Sequence, residues 1–389
     1  MIRGKHYSSG KMVELAVDNG IIVRCEPICE QQGEQESSFQ TGQLLIAPGL
    51  IDLQINGYLG EDFNQLPLTE QTVLAFCRHM WRLGVVKCYP TLITNAFDAL
   101  QQALTVIRQA CERYPLVNAT ITGIHLEGPF ISPLDGARGA HDRQFVCPPN
   151  IDWLKAWQAA AGGRIKIVTL SPEWEESIAF IQYCKQQGIV ASIGHTAASS
   201  EQIAGAAAAG AAMVTHFGNG VQLQLPRHPN YLWEQLAQEQ LYACVIADSY
   251  HLPRQVLKVV HKVKGEQMIL VSDAVALAGS PAGQYTTFVG GKVVLTEAGK
   301  LHLAHDEQLL AGSVSRLTDG IRYMQQAGIA SFEQAWHMAS LHPARLMGLN
   351  NEAGLAIGAP ADIVLLQLEE SGELRVQQTY INGQQVFQL

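Results

Sequence analysis

No CxxC pair occurs in this chain, no run of basic residues, and no apolar stretch near the roughly 20 residues of a membrane span. The eight cysteines, Cys25, Cys29, Cys77, Cys88, Cys111, Cys147, Cys184 and Cys244, are scattered. Their spacing argues against a disulfide scaffold and against a cysteine-rich zinc site. The one close pair, Cys25 and Cys29, lacks partners for a metal. The start, MIRGKHYSSG, lacks the apolar stretch of a secretory leader. Free thiols in a reducing cytoplasm are therefore expected. Net charge is −9, and nucleic acid is usually gripped by a basic face, so a nucleic-acid role is disfavoured. A small phosphorylated ligand needs only one or two local cations and stays compatible with that charge.

What is present is a long alternation. With 389 residues, 47% of them apolar, the chain can bury a large core. Strand-like segments at 51–56, 86–93, 122–129, 166–173, 190–196, 213–219, 242–250 and 268–274 are separated by helical ones such as 69–83, 97–113, 175–187, 199–209 and 253–264. Eight such alternations predict an α/β fold, a parallel barrel with helices outside. An open, doubly wound sheet is the rival, but it brings fewer strand ends to one point. Both chain ends read as β structure, with a hairpin signal at Asn382-Gly383. They are expected to pair into one small β domain beside the barrel, which divides the chain into 1–48, 49–350 and 351–389. A β insertion is predicted over 284–303, then helices over 314–326 and 331–341.

Four apolar runs end on residues that bind metal or move protons: GIHLEGPF with Glu127, VASIGHT with His195, MVTHFGN with His216 and ILVSDA with Asp273. Strand alternation puts His125 and Glu127 on one face. A lone strand-end histidine is more often structural, while a solvated strand-end carboxylate for Glu127 and a helix N-cap for Asp273 are the lesser readings of those two taken alone. Equivalent placement in four strand–helix units changes that reading. One carboxylate and two imidazoles suit Zn²⁺ or Fe²⁺ with room for a water. Asp273 would take a proton from that water and return it to a leaving nitrogen. His141, in the loop ARGAHDRQF, would polarise a carbonyl. Arg227, His228 and His251 lie on loops after strand ends, where they read as phosphate contacts or as ordinary surface charge.

The segments PGLIDLQINGYLGEDFN, YPTLIT, GIHLEGPFISP, TLSPE, GHT, THFGN, LPRHP, IADSYHL, VSDA, LAGS and HPARLMGL together resemble the N-acetylglucosamine-6-phosphate deacetylase family of the amidohydrolase superfamily. The resemblance implies a distorted (β/α)8 TIM-like barrel with a small β-sandwich domain built from both chain ends, and deacetylation of an N-acetylamino-sugar 6-phosphate with one divalent metal per subunit, Zn²⁺ before Fe²⁺. It implies Glu127, His195 and His216 as ligands, Asp273 as base and then acid, and His141 on the acetamide carbonyl. It implies Asn219, Gly220, Arg227 and His251 as sugar-phosphate contacts, and a homodimer, since in relatives the phosphate arginine can come from the neighbouring subunit. Many superfamily members carry His-x-His on the first barrel strand, where this chain reads Gln54-Ile55-Asn56, which argues for a one-metal site. Common relatives read Asn-Ala-Met where this chain has Asn219-Gly220-Val221, and Gly where it has Ser249. These differences fall on the sugar side of the pocket. They keep a galactosamine isomer or an unphosphorylated N-acetyl sugar as alternatives. A catalytically silent binding protein is the alternative of another class, and the intact Glu127, His195, His216 and Asp273 set argues against it.

Overall fold

The computed structural model describes residues 1–28, 42–287 and 290–389. Cys29, and with it the Cys25–Cys29 spacing, lies outside the described residues, as do residues 288–289 of the expected β insertion.

Eight parallel strands form the centre: Leu50–Ile55, Val85–Ile93, Ile124–Glu127, Ile165–Leu170, Val190–Ile193, Met213–Val214, Tyr242–Val245 and Met268–Leu270. Each pairs with the next in chain order. There is no switch point of the kind an open, doubly wound sheet has, so the arrangement is a (β/α)8 barrel. The first and eighth strands close by a different device. Asp273 N–H donates to the Gln54 carbonyl at 2.9 Å. The Asp52 carboxylate accepts the Ser272 N–H at 3.2 Å, filling a role that a ladder carbonyl would have played.

Several strands end earlier than their apolar runs predict. His195 (φ 48°), His216 (φ 26°) and Asp273 (φ 46°) adopt the left-handed region, which no ladder continues through. The helices start where their caps are. Thr69 accepts from Thr72 N–H before Glu70–Arg82, and Ser199 with Gln202 forms a capping box before Ser200–Ala209. That alanine-rich helix stops at Gly210, whose φ of 119° favours glycine.

Two apolar clusters hold the barrel. One lies between strands and outer helices and includes Phe76, Leu104, Trp157 and Ile321. The other fills the lumen with Ile51, Leu53, Tyr89, Ile167, Met213 and Ile269, and Ala344 packs into it. Above this apolar layer the interior turns polar, with His125, Thr169, Ser192 and Thr215 buried and hydrogen-bonded to one another, and the site residues stand beyond them at the strand ends.

Both chain ends pair as expected. Ile2–His6, Met12–Asp18, Ile21–Pro27 and Leu44–Pro48 join Ile363–Leu368, Leu374–Ile381 and Gln384–Gln388 in one seven-stranded sheet. Lys87 of the second barrel strand reaches Asp362 beside this sheet at 2.8 Å, with both side chains buried. The β insertion is a four-stranded meander, Gly283–Thr287, Gly291–Leu295, Leu301–Leu303 and Asp306–Leu310. It runs seven residues further than the sequence pattern indicates and lies over the barrel mouth. No described helix is long and apolar enough to cross a membrane.

Candidate active site

Glu127 is the last residue of the third strand. Gly128 follows with φ 90°, and a Cβ there would stand 2.1 Å from Thr94 Oγ1. The missing side chain lets Thr94 cross over the strand end, where its hydroxyl meets His141 Nδ1 at 2.8 Å. Glu127 Oε1 lies 3.2 Å from His195 Nε2 and 2.9 Å from His216 Nε2, and the two nitrogens are 3.0 Å apart. All three residues are buried, as is His141.

His195 Nδ1 faces the Ala137 carbonyl at 3.0 Å. It must donate there, which leaves the Nε2 lone pair pointing at the centre. The ring is also boxed in. A Cβ on Gly220 (φ 61°) would lie 2.6 Å from His195 Nδ1, and one on Gly139 3.4 Å from it. A carboxylate oxygen and two imidazole nitrogens, all within 3.2 Å of one another, are the donor set and spacing a small divalent cation accepts. His141 also has a ring nitrogen within 4.8 Å of Glu127 and His195 donor atoms. Its Nδ1 is engaged by Thr94, so it stands beside the trio rather than in it.

The electrostatics follow from this crowding. Burial pushes the Glu127 carboxyl up, but the hydrogen bonds and charges of His195 and His216 outweigh it and hold the group well below the usual carboxylate range. Burial lowers His216, yet the Glu127 bond and charge, with Asp273, carry it to about 9. A divalent ion at the centre would displace that proton. Burial, then the His195 charge, push His141 down to about 3, so its imidazole is neutral. Desolvation, then the Glu127 charge, push Asp273 up to about 7, although its side chain keeps a window onto the cavity.

The first strand supplies what replaces His-x-His. Its register against the second strand shifts between Asp52 and Ile55, an irregularity that re-aims side chains. Gln54 Nε2 donates to Glu127 Oε1 at 2.8 Å, and Asn56 Nδ2 donates to Asp273 Oδ1 at 2.8 Å. Each amide therefore holds one site carboxylate. In the sequence, Gln54 and Asn56 mark only the absence of a His-x-His pair. Two further residues gain a role only in the structure: Thr94, the last residue of YPTLIT, and Asp248 of IADSYHL, which accepts from His251 Nδ1 at 2.6 Å and from His251 N–H at 2.8 Å.

These groups open into a cavity of about 440 Å³. Glu127, His141, His195, His216, Asn219, Gly220, His251 and Asp273 all line it. So do Gln308, Leu309 and Leu310 of the β meander, beyond the end of the insertion expected from sequence. Arg227 does not. It sits exposed on the 217–230 loop, outside the lining of this chain's own cavity.

A mouth of this kind on a (β/α)8 barrel defines a hydrolase of the metal-assisted type. The amidohydrolase family profile matches residues 45–386. The chain is 32% identical over 326 residues to N-acetylglucosamine-6-phosphate deacetylase of Bacillus subtilis, covering 83% of this chain and 80% of that one. It is 31% identical over 372 residues to N-acetylgalactosamine-6-phosphate deacetylase of Escherichia coli O157:H7, covering 95% and 94%. The crystal structure of N-acetyl-D-glucosamine-6-phosphate deacetylase from Mycobacterium smegmatis superposes with a TM-score of 0.85 over 99% of both chains at 24% identity, a likeness of fold. The chain belongs to the amidohydrolase family and, within it, to the N-acetylglucosamine-6-phosphate deacetylase family.

Proposed function

We propose that this enzyme converts N-acetylglucosamine 6-phosphate and water to glucosamine 6-phosphate and acetate, using one divalent metal per subunit. The observation that carries the reading is the convergence of Glu127 Oε1, His195 Nε2 and His216 Nε2 within 3.2 Å, with Asp273 beside them in the same cavity. Those three donors would hold the metal, and a set of two imidazoles and one carboxylate accepts either Zn²⁺ or Fe²⁺. When bound, it supplies Lewis acidity to a water and to the acetyl carbonyl.

The remaining steps belong to side chains. Asp273, oriented by Asn56, accepts a proton from water as the water oxygen adds to the acetyl carbon. Neutral His141, fixed through Nδ1 by Thr94, presents Nε2–H to the carbonyl oxygen, where negative charge builds. Asp273 then passes its proton to the nitrogen, and the C–N bond breaks. Acetate and the free amine leave. Asn219, Gly220 and His251 line the side of the cavity that would take the sugar phosphate, and Asp248 turns the His251 Nε2 edge toward it. Arg227 reads best as a phosphate contact given to a neighbouring subunit in a homodimer. A cytoplasmic setting fits the free thiols of the described cysteines.

The galactosamine isomer is the second reading, favoured by the similarity to a deacetylase of that name and by Gly220 and Ser249 in the sugar-side loops. Acetate release from both phosphates, beside the unphosphorylated sugars, separates the readings. Fast release from the glucosamine phosphate alone supports the first. Faster release from another sugar replaces it.

A further inference from the structure

The fourth barrel strand ends at Leu170, and its loop opens with Ser171-Pro172-Glu173, to which the steps above assign no task. Glu173 is only partly buried, yet donors surround it. Its Oε2 accepts from Ala197 N–H at 2.8 Å, from the Ser171 hydroxyl and, at 3.4 Å, from the Thr196 hydroxyl. Its Oε1 accepts from the Ser132 hydroxyl at 3.2 Å.

These donors belong to three loops. Thr196 and Ala197 follow His195 directly. Ser132 opens the loop that carries Ala137 and His141, and its N–H donates to the His195 carbonyl at 2.8 Å. Ala137 in that loop accepts from His195 Nδ1. His195 itself is held at φ 48°, a conformation that persists only when its surroundings over-determine it. A local turn is the competing explanation, because Ser171 Oγ also accepts from Glu173 N–H at 3.3 Å. A turn does not need donors from two other loops.

We propose that Glu173 is a positioning residue for the metal centre. Its carboxylate ties the backbone after His195 to the loop whose Ala137 carbonyl sets the His195 tautomer. It thereby keeps the His195 Nε2 lone pair aimed at Glu127 and His216. The proposal rests on the assignment of Glu127, His195 and His216 as ligands.

The test is the Zn²⁺ affinity of the metal-stripped full chain, read by competition with a chromophoric chelator. Wild type is compared with Glu173→Ala, Glu173→Asp and Glu173→Gln, and thermal unfolding is followed in parallel. Glu173→Ala is expected to weaken Zn²⁺ binding about 10–100-fold, the range for a lost outer-shell partner. Glu173→Asp, which keeps the charge but retracts it, should fall between. Glu173→Gln should stay near wild type, because its amide oxygen still accepts from Ala197 while its NH₂ donates to the Ser132 hydroxyl. Wild-type affinity in both Glu173→Ala and Glu173→Asp overturns the proposal. So does a melting loss in Glu173→Ala with affinity unchanged. If Glu173→Ala does not fold, the Asp and Gln variants carry the comparison. If wild type takes up no metal, the ligand assignment fails first, and that result is distinct from the others.

Discussion

Asp273, the proposed general base, shows how little of such a role lies in residue identity. A strand-end aspartate is ordinary, and this one gains its role from φ 46°, from the Asn56 amide and from the nearby Glu127 charge. Asp273→Asn should lower kcat by at least about 10²–10⁴-fold, the usual worth of a general acid–base, with metal content unchanged by elemental analysis. Gly220 is a second case. A methyl there would stand 2.6 Å from His195 Nδ1, on backbone at φ 61°. Gly220→Ala, although it restores the residue common among relatives, should cost about 1–2 kcal/mol in backbone strain. It should also lower Zn²⁺ affinity as the ring is displaced. Unchanged affinity in that variant would mean the loop relaxes freely. Both residues were visible in the sequence, but their backbone conformations were not, because each is imposed by a neighbouring strand or loop.

At the scale of elements, the seam between the first and eighth strands depends on a carboxylate. Burial pushes Asp52 up to about 7, against the pull of its hydrogen bonds with Ser272 and Gln54. Its folded-state value is therefore raised above the unfolded one. The contribution is complete below about pH 4 and is lost as pH rises through about 7. Within that window this group alone should lower stability by up to about 1.4 kcal/mol per pH unit. Chemical denaturation at a series of pH values should show a slope in wild type that Asp52→Asn reduces. Equal slopes would show that Asp52 is ionised throughout. The β meander belongs to the same scale. Its apolar alternation predicted strands, whereas its position over the mouth follows from packing of Val275 and Leu277 against Val293 and Leu301.

At the scale of the whole molecule, a buried ion pair of Lys87 and Asp362 joins the barrel to the end sheet, and Asn351 and the Asn382 N–H also donate to Asp362. Lys87→Met leaves that carboxylate unpaired and should cost about 3–5 kcal/mol in a denaturant titration, with Zn²⁺ affinity retained. Joint replacement with Asp362→Asn should recover part of the loss. Arg227 makes the second prediction. It lies outside its own cavity; as the proposed phosphate contact across a dimer, its loss in Arg227→Ala should raise KM for the phosphorylated sugar by about tenfold or more. The kcat should change little, and the unphosphorylated sugar should be unaffected. Mixing Arg227→Ala with an inactive Asp273→Asn chain should restore some low-KM sites if the arginine acts across a dimer.

The order of eight strands, the pairing of the two chain ends and the four polar residues at strand ends were all determined by the sequence alone. Hydrophobic period, turn residues and local spacing are short-range properties, and each leaves a mark on neighbouring letters. The contacts that make a site of those residues are different. Gln54 holds Glu127 and Asn56 holds Asp273 across 73 and 217 residues of chain. Thr94 fixes His141 only because Gly128 leaves space, and Arg227 is kept away from its own pocket. These depend on barrel closure, on a register shift in the first strand and on loops packed against loops. Only the tertiary structure decides them, because distance along the chain carries no record of which buried donor meets which acceptor.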